Sequence, residues 1–81
     1  MDAVERLPDN PRLRAILAHA EEIARQAGLK AVGAEHVQLA ILHDAGAIPT
    51  KVIQQLGWEP GKLAERLQAV LTSPGYTGRV A

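Results

Sequence analysis

Cysteine is absent from the 81 residues, which removes disulfides and thiolate metal sites together and leaves a cytoplasmic setting as the default. Aromatic side chains are scarce, at 2% of the chain, so a core has to be built from Ala, Leu, Ile and Val, which suits close helix packing. Net charge is missing as well. Nine Lys plus Arg balance nine Asp plus Glu, and a pI near 6.8 carries none of the electrostatic footprint of a nucleic-acid or anionic-membrane binder. No apolar run approaches the roughly 18 residues of a membrane span, and Met1-Asp2-Ala3-Val4-Glu5 lacks the basic and apolar regions of a signal peptide. The length gives room for about one small domain, which excludes a nucleotide-driven motor or a two-domain enzyme within it.

What is present is helix punctuation. Asp9-Asn10-Pro11 supplies an N-cap side chain and then a proline at the first helical position, where its missing N–H costs nothing. Leu13, Ile16, Leu17, Ala20, Ile23, Ala24 and Ala27 recur at three- and four-residue steps, with Arg14, Glu21, Glu22 and Arg25 on the other face. Gly28 then offers the left-handed stop, and Leu29 its apolar contact. A second helix begins near Gly33 or Ala34; Val37, Leu39, Ala40, Ile41 and Leu42 make it apolar almost all round, which places it in the centre. Asp44-Ala45-Gly46 closes it. Pro49 opens a short third helix with Ile48, Val52, Ile53 and Leu56 along one side; Gly57 ends it, and Trp58 is expected to fold back over that stop and cap the core, or, if exposed, to serve as a binding anchor. Pro60 starts a fourth helix with Leu63, Ala64, Leu67, Val70 and Leu71 as its buried stripe, broken by Ser73-Pro74-Gly75. The expectation is an all-α, four-helix domain around one core, with a polar lead over residues 1–8, the helical unit over 9–72 and a tail over 73–81.

The stretch from Ala20 to Gly28, followed by Val32-Gly33-Ala34-Glu35-His36-Val37-Gln38-Leu39-Ala40-Ile41-Leu42, resembles the Clp N-terminal repeat. That family has a helix ending in glycine, a Val-Gly-Thr-Glu-His-Leu-Leu-Leu-Ala-Leu-Leu-like block, a short helix ending Leu-Gly and a last helix. Asn10-Pro11-Arg12 is similar to its Thr-Pro-Arg opening, and Val52-Ile53-Gln54-Gln55-Leu56-Gly57 to its third-helix ending. The usual domain holds two such repeats about a pseudo-twofold. This chain has one, and Tyr76-Thr77-Gly78-Arg79 looks like the start of a second, with Gly78 in place of proline. The resemblance implies a non-enzymatic module that binds substrate proteins, adaptors or components of a Clp ATPase or protease, with no cofactor. A single repeat can restore the two-repeat arrangement as a homodimer. The same residues would also suit a fragment of a longer Clp ATPase.

In some bacterial members the repeat docks phosphorylated arginine, which would assign Glu35 to the guanidinium and Asn10, Pro11 and Arg12, at the start of the first helix, to the phosphate. Ala34 and Asn10 depart from the family's threonines, and the carboxylate of Asp9 would repel a phosphate there. Glu35 alternatively serves the dipole and free N–H groups of its own helix. His36 is expected to be a hydrogen-bonded structural residue, and Leu39 and Leu42 central core. Arg12, Arg14 and Arg25 are most simply a solvated face. His43 lies seven residues beyond His36, about 10 Å along a helix, and His19 lacks a ligand at the i+4 position, so spacing along the chain indicates no metal site. Thr50, Thr72, Ser73 and Thr77 sit in neither a Gly-x-Ser-x-Gly nor a Ser-x-x-Lys setting. Short helices joined by glycine turns also admit a small DNA-binding regulator, against which the charge balance argues.

Overall fold

A computed structural model describes residues 7–76. Most of the polar lead lies outside these, as do Thr77, Gly78 and Arg79 of the expected second-repeat opening. Four helices follow in order: α1 (Pro11–Gln26), α2 (Ala34–Leu42), α3 (Ile48–Gln55) and α4 (Pro60–Leu71). No strand forms among the described residues, and no helix is long and apolar enough to cross a membrane.

The helix ends follow from local chemistry. Asn10 accepts the Leu13 N–H on its side-chain oxygen at 2.8 Å, satisfying one of the orphan donors of the first turn of α1. At the other end Gly28 takes φ 81°. The Leu29 N–H then reaches the Ala24 carbonyl and the Gly28 N–H the Arg25 carbonyl, both at 3.0 Å, the paired bonds of a Schellman stop. Gly57, at φ 87°, repeats this at the end of α3, with Trp58 N–H to Ile53 at 3.1 Å and Gly57 N–H to Gln54 at 2.9 Å.

Helix α2 packs against each of the other three, as its all-round apolarity requires. Two clusters flank it rather than one uniform core. On the α1 side Ile16, Ala20, Ala40 and Ala47 are buried together, and on the α4 side Leu39, Leu42, Ala64 and Leu71, with Ile23 packed against both. The alanines bring α1 and α2 close. Of the α3 side expected to be buried, only Ile53 packs against the core. Ile48, Val52 and Leu56 point outward, and Ile48 and Leu56 are 74% and 65% exposed. The side toward α2 is formed by Ala47, Thr50 and Ile53. Thr50, 1% exposed, donates its hydroxyl to the Ile41 carbonyl at 2.6 Å. It thereby serves one of the carbonyls left without an intrahelical partner at the end of α2.

Candidate functional site

At the start of α2 the chain builds a continuous polar relay. The Gly33 N–H donates to His36 Nδ1 at 2.8 Å, which leaves the imidazole proton on Nε2. His36 Nε2 lies 3.3 Å from the Tyr76 hydroxyl, and that hydroxyl donates in turn to the Glu35 carboxylate. His36 is buried, and its ring meets the Tyr76 ring edge to face. The Tyr76 hydroxyl holds the Glu35 carboxyl below its ordinary value of 4.5, helped by the Glu35 backbone N–H and by the nearby His36. A Cβ on Gly33 would come within 2.6 Å of the Glu35 carboxylate, so a side chain there would displace that carboxylate. Behind the relay lies a cavity of about 50 Å³ whose walls include Ile23, Leu29, Leu71 and Tyr76.

The residues at the start of α1 are engaged elsewhere. Asn10 is the helix cap. Arg12 grips both carboxylate oxygens of Asp44 from one guanidinium nitrogen, at 2.7 and 2.8 Å, and Asp44 also accepts the Gly46 N–H at 3.0 Å. The bond from Arg12 is the main cause that depresses the Asp44 carboxyl below its ordinary range. Asp44 follows the C-terminal end of α2 and Glu35 sits in its first turn, an axial separation of roughly 14 Å at about 1.5 Å per residue. Arg12 and Glu35 therefore lie at opposite ends of α2, and the structure does not bring the two halves of the expected ligand site together.

Trp58 corrects an expectation. Its backbone closes the α3 stop, but its indole is 61% exposed. The side of α3 that faces the core is made by Ala47, Thr50 and Ile53 instead. With Gly57, Glu59, Lys62 and Leu63 it lines an open depression of about 430 Å³. Ile48, Val52 and Leu56, spaced four residues apart, are exposed along α3 as well.

The family model described as the Clp repeat (R) N-terminal domain matches residues 10–75. The chain belongs to the Clp repeat N-terminal domain family. Relatives of this Clp repeat include the chaperone protein ClpC, chloroplastic, of Pisum sativum, 36% identical over 58 residues. Another is the ATP-dependent Clp protease ATP-binding subunit ClpA homolog, chloroplastic, of Brassica napus, 34% identical over 61 residues. These alignments take in 72% and 75% of the chain but only 6% and 7% of the relatives. No solved structure matches significantly.

Within this Clp repeat the hydroxyls weighed as nucleophiles bond to helix carbonyls: Thr50 to Ile41, Thr72 to Gln68 and Ala69, and Ser73 to Val70. Thr77 lies outside the described residues. Sequence reasoning missed Tyr76 as a partner of Glu35 and Asp44 as the partner of Arg12, because both pairings join residues more than 30 positions apart. The one available signal was the carboxylate of Asp44 directly after an apolar helix.

Proposed function

We propose that this Clp repeat is a non-enzymatic protein-interaction module that binds a substrate or adaptor protein in ATP-dependent unfolding and proteolysis. The observation that carries this reading is the exposure of Ile48, Val52, Leu56 and Trp58, four large apolar side chains within eleven residues, on a chain of this family. Its occupant is an apolar, extended segment of a client, bound through burial of side chains that water now covers. A second copy of the chain is the other occupant we propose, making a homodimer in place of a double repeat. The cysteine-free composition suits a reducing compartment, and we place the protein in the cytoplasm, although the relatives above are chloroplastic by name. Phosphoarginine is not the ligand favoured here. Asn10 and Arg12 already hold other partners, far from Glu35.

The test is a titration of the isotope-labelled protein with a permanently unfolded, tryptophan-free polypeptide, followed by amide shifts and Trp58 fluorescence. Saturable shifts along α3 and a blue-shifted emission are expected, and Val52→Asp should abolish both. Unmoved α3 amides at saturating polypeptide would reject the reading. Free phosphoarginine, added separately, should leave Asn10–Arg14 and Gly33–His36 unshifted. Light scattering across protein concentration examines the homodimer by itself: a strictly monomeric species removes the dimer and leaves client binding standing.

A further inference from the structure

We propose that His19 and His43 together form a two-imidazole site for a divalent transition-metal ion. Spacing along the chain gives no hint of this, since the two residues belong to different helices. His19 stands in the middle of α1 and His43 caps the end of α2. Packing of α1 on α2 brings their ring centroids to 5.8 Å, with planes inclined by 43°. A metal–nitrogen bond of about 2.0–2.1 Å puts an ion about 3.2 Å from each ring centroid, so two rings on one ion have centroids about 5 to 6 Å apart. The observed separation is in that range before any ion arrives.

The surroundings suit such an ion. The two rings stand over a concavity of about 250 Å³ whose floor is Ala15, Ile16 and Ala40. Ile16 and Ala40 belong to the buried α1–α2 cluster, so the helices carrying the ligands are fixed against one another, the arrangement that gives a precise site. Both histidines are exposed, and neither ring hydrogen-bonds to another side chain among the described residues. Asp44 borders the same concavity, but Arg12 holds both of its oxygens. No cluster of three or more His, Cys, Asp or Glu ligands forms among the described residues. The ligand set is therefore two neutral nitrogens, with the remaining positions open to water. Imidazole nitrogen selects copper(II), nickel(II) and zinc(II), copper most tightly, and gives no purchase to magnesium or calcium, which require oxygen. A bound ion would tie the middle of α1 to the end of α2 and raise the thermal midpoint with metal concentration.

The experiment titrates the tag-free chain with zinc chloride and nickel chloride, and with magnesium chloride as the control. Calorimetry reads affinity and NMR reads the imidazole resonances. Saturable binding below millimolar zinc or nickel is expected, with His19 and His43 shifting and His36 unmoved. His19→Gln and His43→Gln, both at exposed positions, should each weaken binding at least about tenfold, because either change removes the chelate advantage of the second ligand. Absence of saturable binding below one millimolar overturns the proposal. Unchanged affinity in either variant does so too, since it would leave a single imidazole as the ligand.

Discussion

Replacing Thr50 by valine removes one hydroxyl and changes almost nothing else in shape, at a residue that is 1% exposed. The hydroxyl bonds to the Ile41 carbonyl at 2.6 Å, and that carbonyl also accepts the Asp44 N–H at 3.0 Å. The acceptor therefore keeps a partner in the variant. The loss should sit near the net value of one hydrogen bond, about 1 kcal/mol, and not near the larger cost of stranding a buried group. Thr50→Ser makes the complementary cut, keeping the hydroxyl and deleting a buried methyl, again about 1 kcal/mol. Thr50→Ala makes both cuts and should cost about 2 kcal/mol if the two effects add. For a domain of 81 residues the whole stability is about 4 to 12 kcal/mol, so the alanine variant gives up a sizeable share. Urea unfolding followed by circular dichroism at 222 nm provides the assay, because exposed Trp58 reports poorly on the core. With a slope of about 1 kcal/mol per molar urea, the valine variant should lower the midpoint by about 1 M. A valine variant as stable as the parent, together with equal losses for alanine and serine, would show that the hydroxyl contributes nothing and that Thr50 is held by packing alone.

Two further outcomes come from the core and the relay. Leu39→Ala opens the α2–α4 cluster at a buried position and should cost about 2 to 5 kcal/mol in the same urea assay, whereas Val52→Asp, on the exposed side of α3, should change stability little. Tyr76→Phe removes the main cause holding the Glu35 carboxyl down, so its titration, followed by carbon-13 NMR, should move up toward the ordinary value. A carboxyl depressed in the folded state stabilises above its unfolded pKa and loses that contribution as pH falls through the folded value. The relay's contribution should therefore separate parent from Tyr76→Phe at neutral pH and shrink once Glu35 is protonated in both; a Glu35 titration unchanged by the substitution would refute the assignment.

The helices were legible because their boundaries are written in adjacent residues. Asn10-Pro11 starts α1 and Gly28 stops it; Gly57 and Pro60 separate α3 from α4. The central place of α2 was legible for a different reason, since only a helix surrounded by others can be apolar all round. The orientation of α3 was not. Periodicity groups Ile48, Val52, Ile53 and Leu56; it does not say which of them a neighbour covers, and here only Ile53 meets the core, beside Ala47 and Thr50. Trp58 was misplaced for the same reason. The pairings of Arg12 with Asp44, Glu35 with Tyr76 and His19 with His43 depend on how helices dock, and no local pattern encodes that.

The order in which α2 finds its neighbours bears on how the chain acquires its shape during synthesis. The α1–α2 seam of Ile16, Ala20 and Ala40 joins helices adjacent in sequence, so it can close as soon as α2 has emerged, and contacts this local form fast. Leu39 and Leu42, on the other side of α2, have to wait for Ala64 and Leu71 of α4. Until then a growing chain carries a finished half and a bare leucine face. Helix α4, made later than α2, completes the burial that α1 began.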